Sequence, residues 1–118
     1  MEFYMLESVL GSISCERVLV FLAARDEGYA REIATFFATS LAPLQKQLDK
    51  LESGGVLISR TAGRTRLYNF NPRYPFLAEL IAFLNKAISF YDQDLQDKLL
   101  LNRPRPRRRG KPQLPCPW

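Results

Sequence analysis

The sequence contains no histidine and only two cysteines, which lie near opposite ends of its 118 residues. Since zinc and most other transition metals are held mainly by histidine and cysteine, we expect no metal site and no cofactor within one chain. The lack of histidine also excludes histidine-based acid–base and triad chemistry, and no other constellation suggests an enzyme. Cys15 falls in an apolar helical segment and Cys116 in a proline-rich tail, so both are predicted to be free thiols.

Long apolar runs are missing as well. No stretch approaches the roughly 18 apolar residues of a membrane span. The first residues, MEFYMLESVLGS, carry two acids and lack the basic start of a secretory signal. We therefore expect a cytoplasmic protein with no membrane partner.

Positive charge is concentrated at the C-terminal end. The formal net charge is +5, but the stretch from 102 to 118 contains no acid. It carries six basic residues: Arg103, Arg105, Arg107, Arg108, Arg109 and Lys111. Removing these six charges from +5 leaves −1 for residues 1–102. Because prolines interrupt this stretch, we predict one folded domain over 1–101 and a disordered basic tail over 102–118.

Helical patterns dominate the first half of the chain. SCERVLVFLAARDEG is predicted to be a helix that Ser12 or Ser14 caps and Gly28 ends. YAREIATFFATS predicts a short helix, and a further helix follows almost at once over about 40–53. This last helix has an apolar stripe of leucines at helical spacing, opposite a polar face. The leucines are Leu41, Leu44, Leu48 and Leu51.

The period then changes from 3.6 to 2, which is typical of strands. VLISRTAGRTRLYNFN, about 56–71, predicts two strands around a turn at 61–64. Leu57, Leu67 and Phe70 are expected to face the core. Three arginines, at positions 60, 64 and 66, should gather toward the tip of this hairpin.

A long helix is predicted over about 75–101. Its apolar residues step by four and three, as in a heptad seam. The seam contains Leu77, Ile81, Leu84, Ile88, Tyr91 and Leu95. We interpret it as a dimer interface, because it is longer than a domain of this size needs to cover. The alternative is packing against its own domain.

The order of these elements predicts a mainly α fold with a small β-hairpin (α+β), namely a winged helix-turn-helix with a long C-terminal dimerisation helix. The 40–53 helix presents a polar face that is not bulky, as a helix entering the major groove of DNA must. The hairpin arginines could then reach the neighbouring backbone or minor groove. The predicted DNA-binding residues are Ser40, Ala42, Gln45, Lys46, Lys50, Arg60, Arg64, Thr65 and Arg66.

The segment from about 12 to 72 resembles the DNA-binding core of ArsR/MarR-type winged helix-turn-helix transcriptional regulators. LQKQLDKLESGGVL is similar to their recognition helix and its glycine stop, and SRTAGRTRLY is similar to their wing. NPRYPFLAEL more loosely resembles stand-alone winged-helix regulators related to those fused to nucleotidyltransferases. The resemblance implies a homodimer on double-stranded DNA. It does not extend to metal sensing, because the chain has no histidine and no cysteine pair.

Other interpretations stay open. The body could be a protein-interaction module, such as an adaptor or an antitoxin-like partner, with only the tail touching nucleic acid. An RNA-binding module is a third option. The tail could be a solvated end, a phosphate-binding arm or a minor-groove reader, since RGKP is similar to the AT-hook core. An unidentified small-molecule or protein effector is also compatible with the sequence.

Overall fold

The computed structural model describes residues 6–101, which form six helices and a three-stranded antiparallel sheet of order β1-β3-β2. The elements are α1 (Glu7–Leu10), α2 (Ile13–Arg25), β1 (Glu27–Gly28), α3 (Ala30–Phe37), α4 (Leu41–Ser53), β2 (Leu57–Ala62), β3 (Thr65–Phe70), α5 (Leu77–Ile88) and α6 (Gln93–Leu101). The predicted α+β class is confirmed. Within the described residues, no helix is both long and apolar enough to cross a membrane.

Helix α2 forms the centre of the core. It is apolar around most of its circumference, and a helix of that kind must be covered on all sides. Its start is fixed by Ser12, whose hydroxyl accepts a hydrogen bond from the Cys15 N–H at 2.9 Å. The predicted end at Gly28 is wrong: the helix stops at Arg25, and Asp26 turns the chain with a φ of 76°. Gly28 instead pairs with β3.

Helices α3 and α4 form a helix-turn-helix. Helix α3 ends at Ala38, which has the left-handed φ of 54°, and Ser40 is the N-cap of α4 in extended conformation. The Ser40 side chain makes no capping hydrogen bond. Leu44 and Leu48 are fully buried, which confirms the apolar stripe of α4.

The wing is the hairpin of β2 and β3. Its strands meet at a two-residue turn in which Gly63 has a φ of 65°, a value that favours glycine. Side chains alternate across a strand, so Tyr68 and Phe70 share the inner face with Leu57 of β2. Leu67 therefore lies on the opposite face, and its predicted place in the core is wrong.

The single helix predicted over 75–101 is also wrong, because the chain breaks it between Ile88 and Gln93. Polar side chains replace the helical hydrogen bonds at the break. The Ser89 hydroxyl donates to the Lys86 carbonyl at 2.6 Å, and the Asp92 carboxylate accepts from the Leu95 N–H at 2.9 Å. Asp92 thus caps a new helix, α6, which returns to α2 instead of extending away from the domain.

Arg25 fixes the returning helix. Its guanidinium donates to the carbonyls of Lys98 at 2.9 Å and Leu99 at 3.1 Å, which belong to the last turn of α6. The same group lies over the rings of Phe21 and Phe36, at 4.8 and 5.1 Å from their centroids. One buried cation therefore joins the end of α6 to both α2 and α3.

A buried carboxylate joins the opposite end of α2 to its neighbours. Glu16 has no solvent exposure, accepts a hydrogen bond from the Tyr91 hydroxyl at 2.5 Å and accepts another from the Leu6 N–H at 3.2 Å. Burial raises the pKa of Glu16, and the two hydrogen bonds oppose that rise only in part. The α5–α6 junction and the N-terminal turn are thus tied to one side chain of α2.

Candidate nucleic-acid interface

The outward face of α4 is polar and sterically open. Ser40, Ala42, Lys46 and Lys50 are all exposed, as expected for residues opposite the buried leucine stripe. The short side chains of Ser40 and Ala42 lie at the N-terminal end, where a groove-binding helix makes its closest approach. The two lysines supply positive charge further along the same helix.

Gln45 differs from its predicted state. It is half-buried, and its side-chain amide is held inside the chain. The Nε2 atom donates to the Asp49 carboxylate at 3.0 Å and to the Tyr68 hydroxyl at 3.2 Å. Tyr68 belongs to the wing, so this contact joins the wing to α4. Tyr68 was not predicted as part of the site, because Leu67 and not Tyr68 was expected on the inner face of β3.

The three wing arginines are placed in different surroundings. Arg60 pairs with Glu27 of β1 at 2.8 Å, on the exposed side of the sheet. Arg66 donates to the Ser59 hydroxyl at 2.9 Å, and that hydroxyl donates to Glu52 at the end of α4 at 2.7 Å.

The remaining arginine, Arg64, is exposed at the turn, beside the half-buried Thr65. Arg64 is thus the arginine most available to an external anion. Arg60 and Arg66 would have to give up their contacts with Glu27 and Ser59 before they could bind an external anion.

An open cleft of about 600 Å³ separates the wing from α3 and α4. Its walls combine arginines with carboxylates and aromatic rings. The lining residues that bear on binding are Arg31, Gln45, Asp49, Arg64, Arg66 and Tyr68. A second hollow, of about 730 Å³, lies at the turn between α3 and α4 and is lined by Arg31, Thr35, Thr39 and Ser40 among others.

Arg31 was missed by the sequence reasoning. It is exposed near the start of α3 and lines both hollows, between the predicted recognition helix and the wing. Sequence spacing gave no reason to group it with residues of α4, because only the turn between the two helices brings them together. Its guanidinium adds a positive charge to the surface that the lysines of α4 and Arg64 already share.

Two groups of predicted site residues stand apart from this surface. The basic tail residues, 103–111, lie outside the described residues. Of the predicted dimer seam, Leu77 and Leu95 are half-buried, while Ile81, Leu84, Ile88 and Tyr91 are buried within their own domain. These four side chains are already covered in one chain, so they present no face to a partner.

Other chemistry finds little support in the described part of the chain. Between residues 6 and 101, no cluster of three or more histidine, cysteine, aspartate or glutamate side chains could hold a metal ion. Cys15 is a buried free thiol, and burial raises its pKa further from that of a reactive thiolate. Its role is that of a small core residue.

The fold defines a winged helix-turn-helix protein of the kind found in MarR/ArsR-type regulators. One similar solved structure is a mutant of Lactococcus lactis ZitR in its apo form. It has 25% sequence identity and a TM-score of 0.51 over 72% of this chain and 67% of that chain.

Another is a transcriptional regulator of the MarR family from Silicibacter pomeroyi, with 18% identity and a TM-score of 0.51 over 79% of this chain and 68% of that chain. No family model and no curated protein matches the sequence.

Proposed function

We propose that this protein is a homodimeric transcriptional regulator that binds specific sites on double-stranded DNA. The observation that carries the proposal is the juxtaposition of two features. Helix α4, which exposes Lys46 and Lys50, shares an open cleft with the hairpin whose turn exposes Arg64. The similarity to a MarR-family transcriptional regulator supports the same function.

In this proposal α4 enters the major groove, where Ala42, Gln45 and Lys46 face base edges. Ser40, Lys50 and the wing arginines position the phosphate backbone. Arg31 joins them from α3. Arg60 and Arg66 are secondary contacts, because each is already engaged inside the chain.

A second copy of the chain would cover the exposed face of α5. Phe83 of α5, Phe76 at its N-cap and Phe90 just past its end are exposed by 39%, 62% and 61%. Exposed apolar side chains gathered in one area mark interaction surfaces. We place the dimer contact on these rings and not on the buried seam. Two recognition helices would then read half-sites about one helical turn, or a multiple of it, apart.

The tail acts as an accessory arm in this proposal. The last turn of α6 is tied by Arg25, which also lies over Phe36 of α3. Six basic residues that follow α6 would strengthen binding to any DNA through phosphate neutralisation. They would add little sequence preference.

Charge reversal tests the proposal. In the variant K46E/K50E/R64E, binding of duplex DNA at low salt should weaken by roughly 100-fold or more, because three predicted contacts become repulsive. A control, R73E/K98E, reverses two exposed charges that lie outside α4, the wing and α5, and should retain most of the affinity. Fluorescence anisotropy with a labelled duplex measures both.

The same experiment separates the protein-interaction alternative, which the exposed phenylalanines of α5 favour. Under that alternative the tail alone touches nucleic acid, so K46E/K50E/R64E and its control would bind duplex DNA equally well. Equal binding would show that α4 and the wing do not contact DNA.

A further inference from the structure

The side-chain amide of Gln45 has both of its hydrogens engaged inside the chain. An amide nitrogen carries two hydrogens. Here Nε2 donates one to Asp49 Oδ1 at 3.0 Å and the other to the Tyr68 hydroxyl oxygen at 3.2 Å. Asp49 lies four residues further along α4, while Tyr68 is 2% exposed in β3. Both the recognition helix and the wing therefore hold this amide.

The chemistry of Asp49 fixes which way the amide points. An ionised carboxylate has acceptors and no donor. If the amide of Gln45 were rotated by 180°, its oxygen would face Asp49 Oδ1, and two acceptors would oppose each other. The nitrogen must therefore face Asp49 and Tyr68. The oxygen Oε1 is the polar atom of Gln45 that is left for an external ligand.

An acceptor alone reads DNA differently from a whole amide. A free glutamine recognises adenine with two bonds, accepting from N6 and donating to N7. Gln45 cannot donate to N7 without releasing Asp49 or Tyr68. Oε1 can still accept from an exocyclic amino group, and the major groove offers two, N6 of adenine and N4 of cytosine.

We infer that Gln45 is an amino-group reader that accepts adenine and cytosine at one position of the site and rejects guanine and thymine on that strand. Tyr68 is the positioning residue that keeps Gln45 from distinguishing adenine from cytosine. The inference rests on the proposed function, since it concerns how α4 reads the groove.

Tyr68 is the firmer of the two anchors. Water can replace the amide at Asp49, which is exposed. The Tyr68 oxygen belongs to a buried side chain, so loss of its donor would leave a polar atom that water reaches poorly. Removing this one oxygen should allow the amide of Gln45 to turn toward the groove and exchange its exposed contact with Asp49 for adenine N7, while the phenyl ring remains.

Selection of bound duplexes from a random library tests the inference with the full-length protein. The pair read by Gln45 is identified as the one whose preference Q45A loses. At that pair the wild-type protein should enrich adenine and cytosine to within about twofold of each other, whereas Y68F should enrich adenine over cytosine about fivefold or more through the added bond to N7. Y74F, which removes a phenolic oxygen outside the cleft, should select as the wild-type protein does.

Two outcomes would overturn the inference while leaving DNA binding established. One is a wild-type protein that already prefers adenine strongly at this pair. The other is Y68F selecting the same bases as the wild-type protein. A wild-type protein that binds no duplex at low salt would instead refute the proposed function.

Nuclear magnetic resonance of the free protein adds a readout that needs no DNA. The Nε2 proton of Gln45 that is bonded to Tyr68 should exchange with water more slowly than the side-chain amide protons of Gln47. This proton should exchange fast in Y68F. Fast exchange of both Nε2 protons in the wild-type protein would show that Tyr68 does not hold the amide.

Discussion

The hydrogen bond between Tyr91 and Glu16 provides a sharp test of how the C-terminal helices are held. Tyr91 lies at the α5–α6 junction, 75 residues from Glu16, and its hydroxyl donates to the buried carboxylate at 2.5 Å. The substitution Tyr91→Phe removes this hydroxyl and keeps the ring, which is 6% exposed. The carboxylate would then still accept a hydrogen bond from the Leu6 N–H at 3.2 Å.

The magnitude follows from the charge of the acceptor. A hydrogen bond to a charged group contributes about 1.5–3 kcal/mol to stability, against about 0.5–1.5 kcal/mol for a neutral pair. Since Glu16 has no solvent exposure, water cannot easily replace the lost donor. We expect Tyr91→Phe to lower the free energy of unfolding by about 2–3 kcal/mol at pH 7.5, measured by urea denaturation.

The loss should depend on pH in a defined direction. Burial raises the folded-state pKa of Glu16 above its unfolded value, so the folded state takes up this proton first as the pH falls. Protonation therefore favours folding in the window just above the ordinary glutamate pKa, and that gain is lost as the pH rises through the folded-state pKa. The penalty of Tyr91→Phe should shrink toward about 1 kcal/mol as the pH falls through the folded-state pKa and the acceptor becomes neutral.

A double-mutant cycle identifies the partner. In a Glu16→Gln background the acceptor is neutral at every pH, so Tyr91→Phe should cost about 1 kcal/mol with no pH dependence. An equal, pH-independent penalty in both backgrounds would show that Glu16 is not the partner of the Tyr91 hydroxyl. A penalty below about 0.5 kcal/mol in the wild-type background would show that this hydrogen bond contributes little to stability.

Three further predictions concern the dimer, the tail and the core. Phe83→Glu combined with Phe90→Glu should convert a dimer to a folded monomer in sedimentation equilibrium, whereas Ile58→Glu, an exposed apolar residue on the wing, should leave the mass unchanged. Deleting 103–118 should reduce the slope of log affinity against log salt by up to about five, since six cations are removed, and should leave sequence preference largely intact. Gly28→Ala should lower the free energy of unfolding by about 1–3 kcal/mol in urea denaturation, because the new Cβ would lie 2.7 Å from a ring carbon of the fully buried Phe21; no change would show that the ring can move aside.

The helix-turn-helix could be predicted because its signals are local. The leucine stripe within α4 and the glycines after it act within a few residues of the backbone that they fix, and Ser40 marks the helix start although its side chain makes no capping hydrogen bond. The turn of the wing is likewise set by Gly63. Such local signals predict the same helix in any fold that buries the apolar stripe.

The break after Ile88 could not be read from periodicity, because the apolar pattern continues across it. Tyr91, Leu95 and Leu99 keep nearly the same spacing on both sides, so a straight helix and a helix that turns back produce one pattern. The local signal for the break is Asp92, a good N-cap residue whose carboxylate accepts from the Leu95 N–H. Arg25 favours the helix that turns back, because it donates hydrogen bonds to the carbonyls of α6. This contact joins residues more than 70 positions apart, so no local pattern reveals it.

Side-chain hydrogen bonds join the wing to α4 at two separate points along the helix. Near the middle of α4, Gln45 contacts Tyr68, and at its C-terminal end Glu52 is linked through Ser59 to Arg66. Two separated links prevent the hairpin from pivoting freely about either one. In the proposed complex, a phosphate contact made by Arg64 at the turn would therefore constrain the rotation of α4 in the groove. Backbone contacts by the wing and base contacts by α4 should accordingly be coupled, so that R64A changes base preference at the pair read by Gln45 as well as affinity, an effect that Lys50→Ala, on α4 itself, should not reproduce.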